Sequence, residues 1–124
     1  MLFNIRLLFL LLVCGVSHAC DRYVIGFKGL NDVFDSNAFV EYSSKQSACH
    51  KAFSHSNVAG AVRFISGLNV DYQLYGFSAG ARSVARVLPI LQKQNVALPK
   101  YIITIGAYTT TDVNFDRYQI KYQN

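Results

Sequence analysis

The apolar positions of this chain fall into runs of different period. Arg22 to Phe27, RYVIGF, is a continuous apolar run punctuated by Gly26 and Gly29. Its length and β-branched content predict a buried strand. KGLND follows as a loop, with Asp32 or Asp35 placed to cap a short helix through SNAFVEY. Ser43 to Ser47 reads as polar surface. From Ala52 the spacing changes to threes and fours: Ala52, Val58 or Ala59, Val62, Phe64, Ile65 and Leu68 predict one long helix. Asn57 is placed to cap its second half, and Gly67 to Asn69 to end it. VDYQLYGF is a second apolar run. After it, Ala81, Val84, Ala85 and Leu88 mark the inward face of a helix, while Arg82, Arg86 and Lys93 face out. Pro89 predicts a kink or a restart there, because it has no N–H for the helical ladder. KYIITIGAY (Lys100 to Tyr108) is a third strand, TTTDVNFD a loop, and RYQIKYQ a last, edge-like strand.

This order predicts an α/β fold: three layers, a mainly parallel sheet and helices on both faces. Such a sheet presents its sites at the carboxyl ends of its strands.

Composition narrows the class. The chain has 124 residues, 52% hydrophobic and only 15% charged, which suits one core-forming domain. The net charge of +5 comes from scattered residues, with no basic stripe. Nucleic acid is therefore not an expected partner. The first 19 residues have a different pattern: Arg6, an apolar run from Leu7 to Val13, Gly15, then Ser17-His18-Ala19. That is the layout of a signal peptide cut after Ala19, leaving residues 20–124 as a single secreted or periplasmic domain. The run is short for a membrane span. An uncleaved anchor and a lipidated Cys20 are the alternatives, and they are the only routes to a membrane. Export would leave Cys20 and Cys49 as an even pair in an oxidising compartment, so a disulfide between them is expected, ahead of two free thiols. His50 and His55 stand five apart, unlike the one-turn spacing of zinc helices; no metal and no cofactor is expected.

The chemistry centres on YQLYGFSAGARSVARVL, Tyr72 to Leu88. A strand that turns sharply into a helix holds one residue at its apex, and small neighbours are needed where the backbones crowd. Gly76 and Gly80 supply that space around Ser78. The helix that follows aims its first N–H groups at the same spot. This is the G-x-S-x-G nucleophile elbow, with the strand before and the helix after that it requires.

With YVIGFKGL and YIITIGAY, this stretch resembles the α/β-hydrolase superfamily, in particular its small lipase- and esterase-like members. The resemblance covers the central part of the chain after residue 19. It implies that Ser78 is the nucleophile and that the Ala79 N–H holds one side of the oxyanion. Gly29 or Leu30, in the loop after the first strand, would supply the other donor. Lipase-like members often carry His-Gly there, where this chain has Lys28-Gly29. The triad of the family runs serine, acid, histidine, and here no histidine follows Ser78. Asp112 and Asp116 follow the third strand, with Asp112 the acid candidate. His50 and His55 precede the serine; His50 is the base candidate and His55 its alternative. Three explanations stay open: a truncated hydrolase whose catalytic C-terminal portion is missing, a histidine reaching the site from before the serine, or a relative that no longer catalyses. Tyr75, Phe77 and Tyr108 read as core packing, with lining of an acyl pocket the other role.

The expected function is an exported serine hydrolase acting on a small ester or acyl substrate. The alternative is a non-catalytic exported binding or interaction module with the same fold.

Overall fold

The computed structural model describes residues 20–106 and 115–124. Five strands, β1 (Arg22–Phe27), β2 (Cys49–Phe53), β3 (Asp71–Phe77), β4 (Tyr101–Ile105) and β5 (Lys121–Gln123), form one sheet in the order β2-β1-β3-β4-β5. Every pairing is parallel. Three helices connect them: α1 (Ser36–Lys45), α2 (Val58–Ser66) and α3 (Gly80–Lys93). The expected α/β class with helices on both faces is what forms.

Alternation along the strands decides which face each side chain serves. On one side, Val24 and Tyr75 are buried under Phe39 of α1. On the other, Ile25, Leu74 and Ile102 pack against α2 and α3 through Ala61, Ile65, Val84 and Leu88. The chain steps from β1 to its neighbour β2 in one direction, then crosses back past β1 to β3 and continues to β4. Crossovers of one hand must then change faces when the direction reverses, which is why α1 lies opposite α2 and α3. The reversal sits between β1 and β3, the position where open parallel sheets form a crevice at their carboxyl ends.

The long helix expected from Ala52 to Leu68 is not there. Cys49–Phe53 is an edge strand, and the helix is confined to Val58–Ser66. Cys49 to Phe53 has no β-branched residue and is only partly buried, so it lacks both signals by which a central strand declares itself. Its pairing with β1 decides its state. The caps are as expected. Asp35 accepts from the Ala38 N–H at 3.0 Å, and Asn57 from the Gly60 N–H at 3.0 Å. Pro89 does not restart α3, which runs through it to Lys93. The proline is exposed, on the outer face of the helix. The expected last strand, RYQIKYQ, is shortened to β5, and Phe115–Tyr118 form a 3-10 turn before it.

Cys20 and Cys49 are joined, with Cα atoms 5.5 Å apart. The bond ties the segment before β1 to the start of the edge strand β2, rather than to a helix.

Tyr72 is buried on the α2/α3 side, and its hydroxyl donates to the Ala97 carbonyl at 2.5 Å. Burial pushes its ionisation well above the ordinary value near 10. A raised acid pKa means the folded state keeps a proton that the unfolded chain has lost. The stabilisation is therefore complete below pH 10 and falls away as pH rises above it. Urea midpoints measured upward from pH 8 should fall beyond about pH 10. Tyr72→Phe should flatten that fall, at a cost of about 1 kcal/mol at neutral pH for the lost hydrogen bond.

Candidate functional site

Ser78 follows β3 directly and adopts φ +53°. This is the left-handed region, which costs a non-glycine residue about 1–2 kcal/mol. Asparagine and aspartate enter it readily, as Asn31 and Asp32 do nearby; serine does so less readily, here at Ser47 as well as at Ser78. Two backbone bonds hold it. Its N–H donates to the carbonyl of Ile105, the last residue of β4, at 2.8 Å, and its own carbonyl accepts from the Ala81 N–H at 3.0 Å. Ala79 is already helical (φ −59°, ψ −24°) and is the N-cap of α3, with no side-chain cap. Ser78 is thus the apex between strand and helix, and not a capping serine.

The flanking glycines are explained by contact. A Cβ on Gly80 would stand 2.1 Å from the Phe27 carbonyl oxygen and 2.9 Å from that of Lys28. A Cβ on Gly76 would stand 2.8 Å from the Cα of Ala81. The start of α3 therefore lies directly on the end of β1, at a distance only hydrogen allows.

The loop after β1 borders the serine. A Cβ on Gly29 would come within 3.4 Å of the Ser78 Cβ. The Gly29 N–H donates to the Val33 carbonyl at 2.8 Å, and the Val33 N–H to the Leu30 carbonyl at 3.1 Å. Of the two expected loop donors, Gly29 is thus committed within the loop, which leaves Leu30. The Ala79 N–H precedes the first helical bonds, at the end where helix donors lack intrahelical partners.

The segments that meet at this corner carry exposed apolar side chains. Leu30 is 59% exposed, Val33 60% and Ile105 37%. Phe77 is half-buried and meets Phe34 edge-on at 6.1 Å. Sequence reasoning missed these exposed side chains, because the exposure of loop residues has no period. Tyr75 belongs to the α1-side core, against Phe34, Phe39 and Tyr42.

The histidines are placed differently from each other. His50 pairs in register with Val24, whereas Ser78 lies two residues beyond the Phe27–Gly76 level. That separates them by about 16 Å along the strands. His50 instead meets the Phe39 ring edge-on at 5.7 Å. The fold does not bring this base candidate to the serine. His55 lies two residues past the carboxyl end of β2, in the turn that the Asn57 N–H closes on the Ser54 carbonyl. Asp112 and Tyr108 lie outside the described residues, as does the segment read as a signal peptide; Asp116 falls in the 3-10 turn Phe115–Tyr118. Among the described residues no side chain is hydrogen-bonded to the Ser78 hydroxyl, and no group of three potential metal ligands occurs. No helix among them is long and apolar enough to cross a membrane.

No protein-family model, curated protein or solved structure matches this chain.

Proposed function

We propose that this protein is a serine hydrolase of α/β-hydrolase type, cleaving esters or related acyl compounds with an apolar acyl part. The observation that carries the reading is the left-handed Ser78 at a strand-to-helix apex, with Gly80 pressed onto the end of β1. A strained serine with no capping duty is what a nucleophile elbow requires. Ser78 Oγ attacks the acyl carbon, and the Ala79 and Leu30 N–H groups receive the developing oxyanion. A single such donor is worth about 3–4 kcal/mol in the transition state. The exposed Leu30, Val33 and Ile105 offer an apolar acyl chain a surface beside the attacking atom. The Cys20–Cys49 bond fits an oxidising, exported setting.

A fluorophosphonate probe tests the reading. The serine oxygen bonds to phosphorus and fluoride leaves. Mass spectrometry should find the adduct on Ser78, and Ser78→Ala should carry none. A folded wild-type protein that stays unlabelled would instead support a non-catalytic binding module. The absence of a described partner on the Ser78 hydroxyl is the observation on that side.

A further inference from the structure

His55 carries an unexplained feature. Its Nδ1 is buried and has no hydrogen-bond partner, the one such side-chain atom among the described residues. Buried polar groups are nearly always paired, and an orphan in a native fold calls for a reason. We infer that His55 is the base that takes the Ser78 proton, an assignment that rests on the serine-hydrolase reading above.

Placement supports it. Phe53 pairs with Phe27, and Phe27 with Gly76. His55, in the turn that the Asn57 N–H closes on the Ser54 carbonyl, and Ser78, at its apex, each follow that level by two residues, so both lie past the carboxyl ends of their strands. Two strand spacings, about 9–10 Å, separate β2 and β3, the strands that lead into them. An extended imidazole, a serine hydroxyl and one hydrogen bond together span about the same distance. β1 ends between them, and there the chain has Gly29, which puts no side chain beside Ser78. The backbone of His55 is also fixed to the serine's own helix. Ser83 Oγ, on α3 about a turn and a half beyond Ser78, donates to the His55 carbonyl at 2.5 Å. No hydrogen bond joins imidazole and hydroxyl in the resting structure. Such bonds commonly close only with substrate present, here by side-chain rotation. The base preceding the nucleophile in the chain is no obstacle, because unrelated serine enzymes hold the same groups in different orders.

The step balances simply. Ser78 Oγ bonds to the acyl carbon and its proton passes to His55. The ester C–O bond breaks, and the leaving alkoxide departs as an alcohol with that proton. Water, deprotonated by the same imidazole, then releases the acid and restores the serine.

The test is the rate of fluorophosphonate labelling at neutral pH on the full, oxidised chain. His55→Gln should slow it at least 100-fold, while His50→Gln leaves it unchanged. Added imidazole should restore labelling to His55→Gly. Undiminished labelling of His55→Gln overturns the assignment and leaves Ser78 as nucleophile. Absence of labelling in the wild type overturns both. Should the His55 variants fail to melt cooperatively, ring-proton NMR of the wild type decides. Labelling of Ser78 must shift the His55 resonance and not that of His50; an unmoved His55 signal overturns the assignment.

Discussion

Gly80→Val is expected to destabilise the domain by about 3 kcal/mol or more, the upper end of what overpacking costs. The first added carbon would sit 2.1 Å from the Phe27 carbonyl oxygen, less than any relaxed contact allows. The clash is with backbone on both sides, so no rotamer relieves it. Either α3 lifts from β1 or the end of β1 bends, and both expose the core around Phe27 and Val84. Ser78→Ala should change stability by less than about 0.5 kcal/mol, because Ala79 and not Ser78 holds the N-cap. Thermal melts of the two variants provide the check. A first-turn glycine without this contact would behave in the opposite way, gaining helix propensity on substitution. A neutral or stabilised Gly80→Val would therefore contradict the packing described here.

Reduction of the Cys20–Cys49 bond, or replacement of both cysteines by serine, is expected to cost about 3–4 kcal/mol. The two residues are 29 apart in sequence, and release of a loop that long returns its full conformational entropy to the unfolded chain. For a domain near 100 residues the midpoint should drop by on the order of 10–20 °C. Scanning calorimetry with and without reductant measures it. The bond lies at the amino end of the sheet and Ser78 at the carboxyl end. Below the lowered midpoint, the rate of Ser78 labelling should therefore be unchanged. A loss of labelling at full helicity would show that the two ends are coupled.

What the sequence disclosed follows from where physical demands are strongest. β1 and β3 are covered on both faces over most of their length, and their continuous apolar runs say so. Asp35 and Asn57 announced helix starts because few residue types satisfy the first amides of a helix. The GFSAG elbow was legible because two crowded positions and one left-handed apex leave little choice of residue. β2 was not legible, since an edge strand with one partner is held by register with β1 rather than by its own composition. The site was legible only at its centre. Gly29 looked like an oxyanion donor until its N–H was found on Val33, a bond that exists only once the loop has closed. His50 looked as eligible as His55, because their spacing does not reveal that one lies within β2 against the edge of Phe39 and the other in the turn beyond that strand.

β1 and β3 are bonded to neighbours on both sides, whereas β2 and β5 are bonded on one. In hydrogen-exchange terms, the amides of the central pair are released only by opening of the whole domain, and those of the edges by local fraying. The Ser78 amide, bonded to Ile105, carries the β3–β4 ladder one residue past the end of β3. The strained serine is thus suspended from the last part of the molecule to open. Its conformation persists for as long as the fold does, whereas the loop from Gly29 to Val33 beside it is held by bonds within itself.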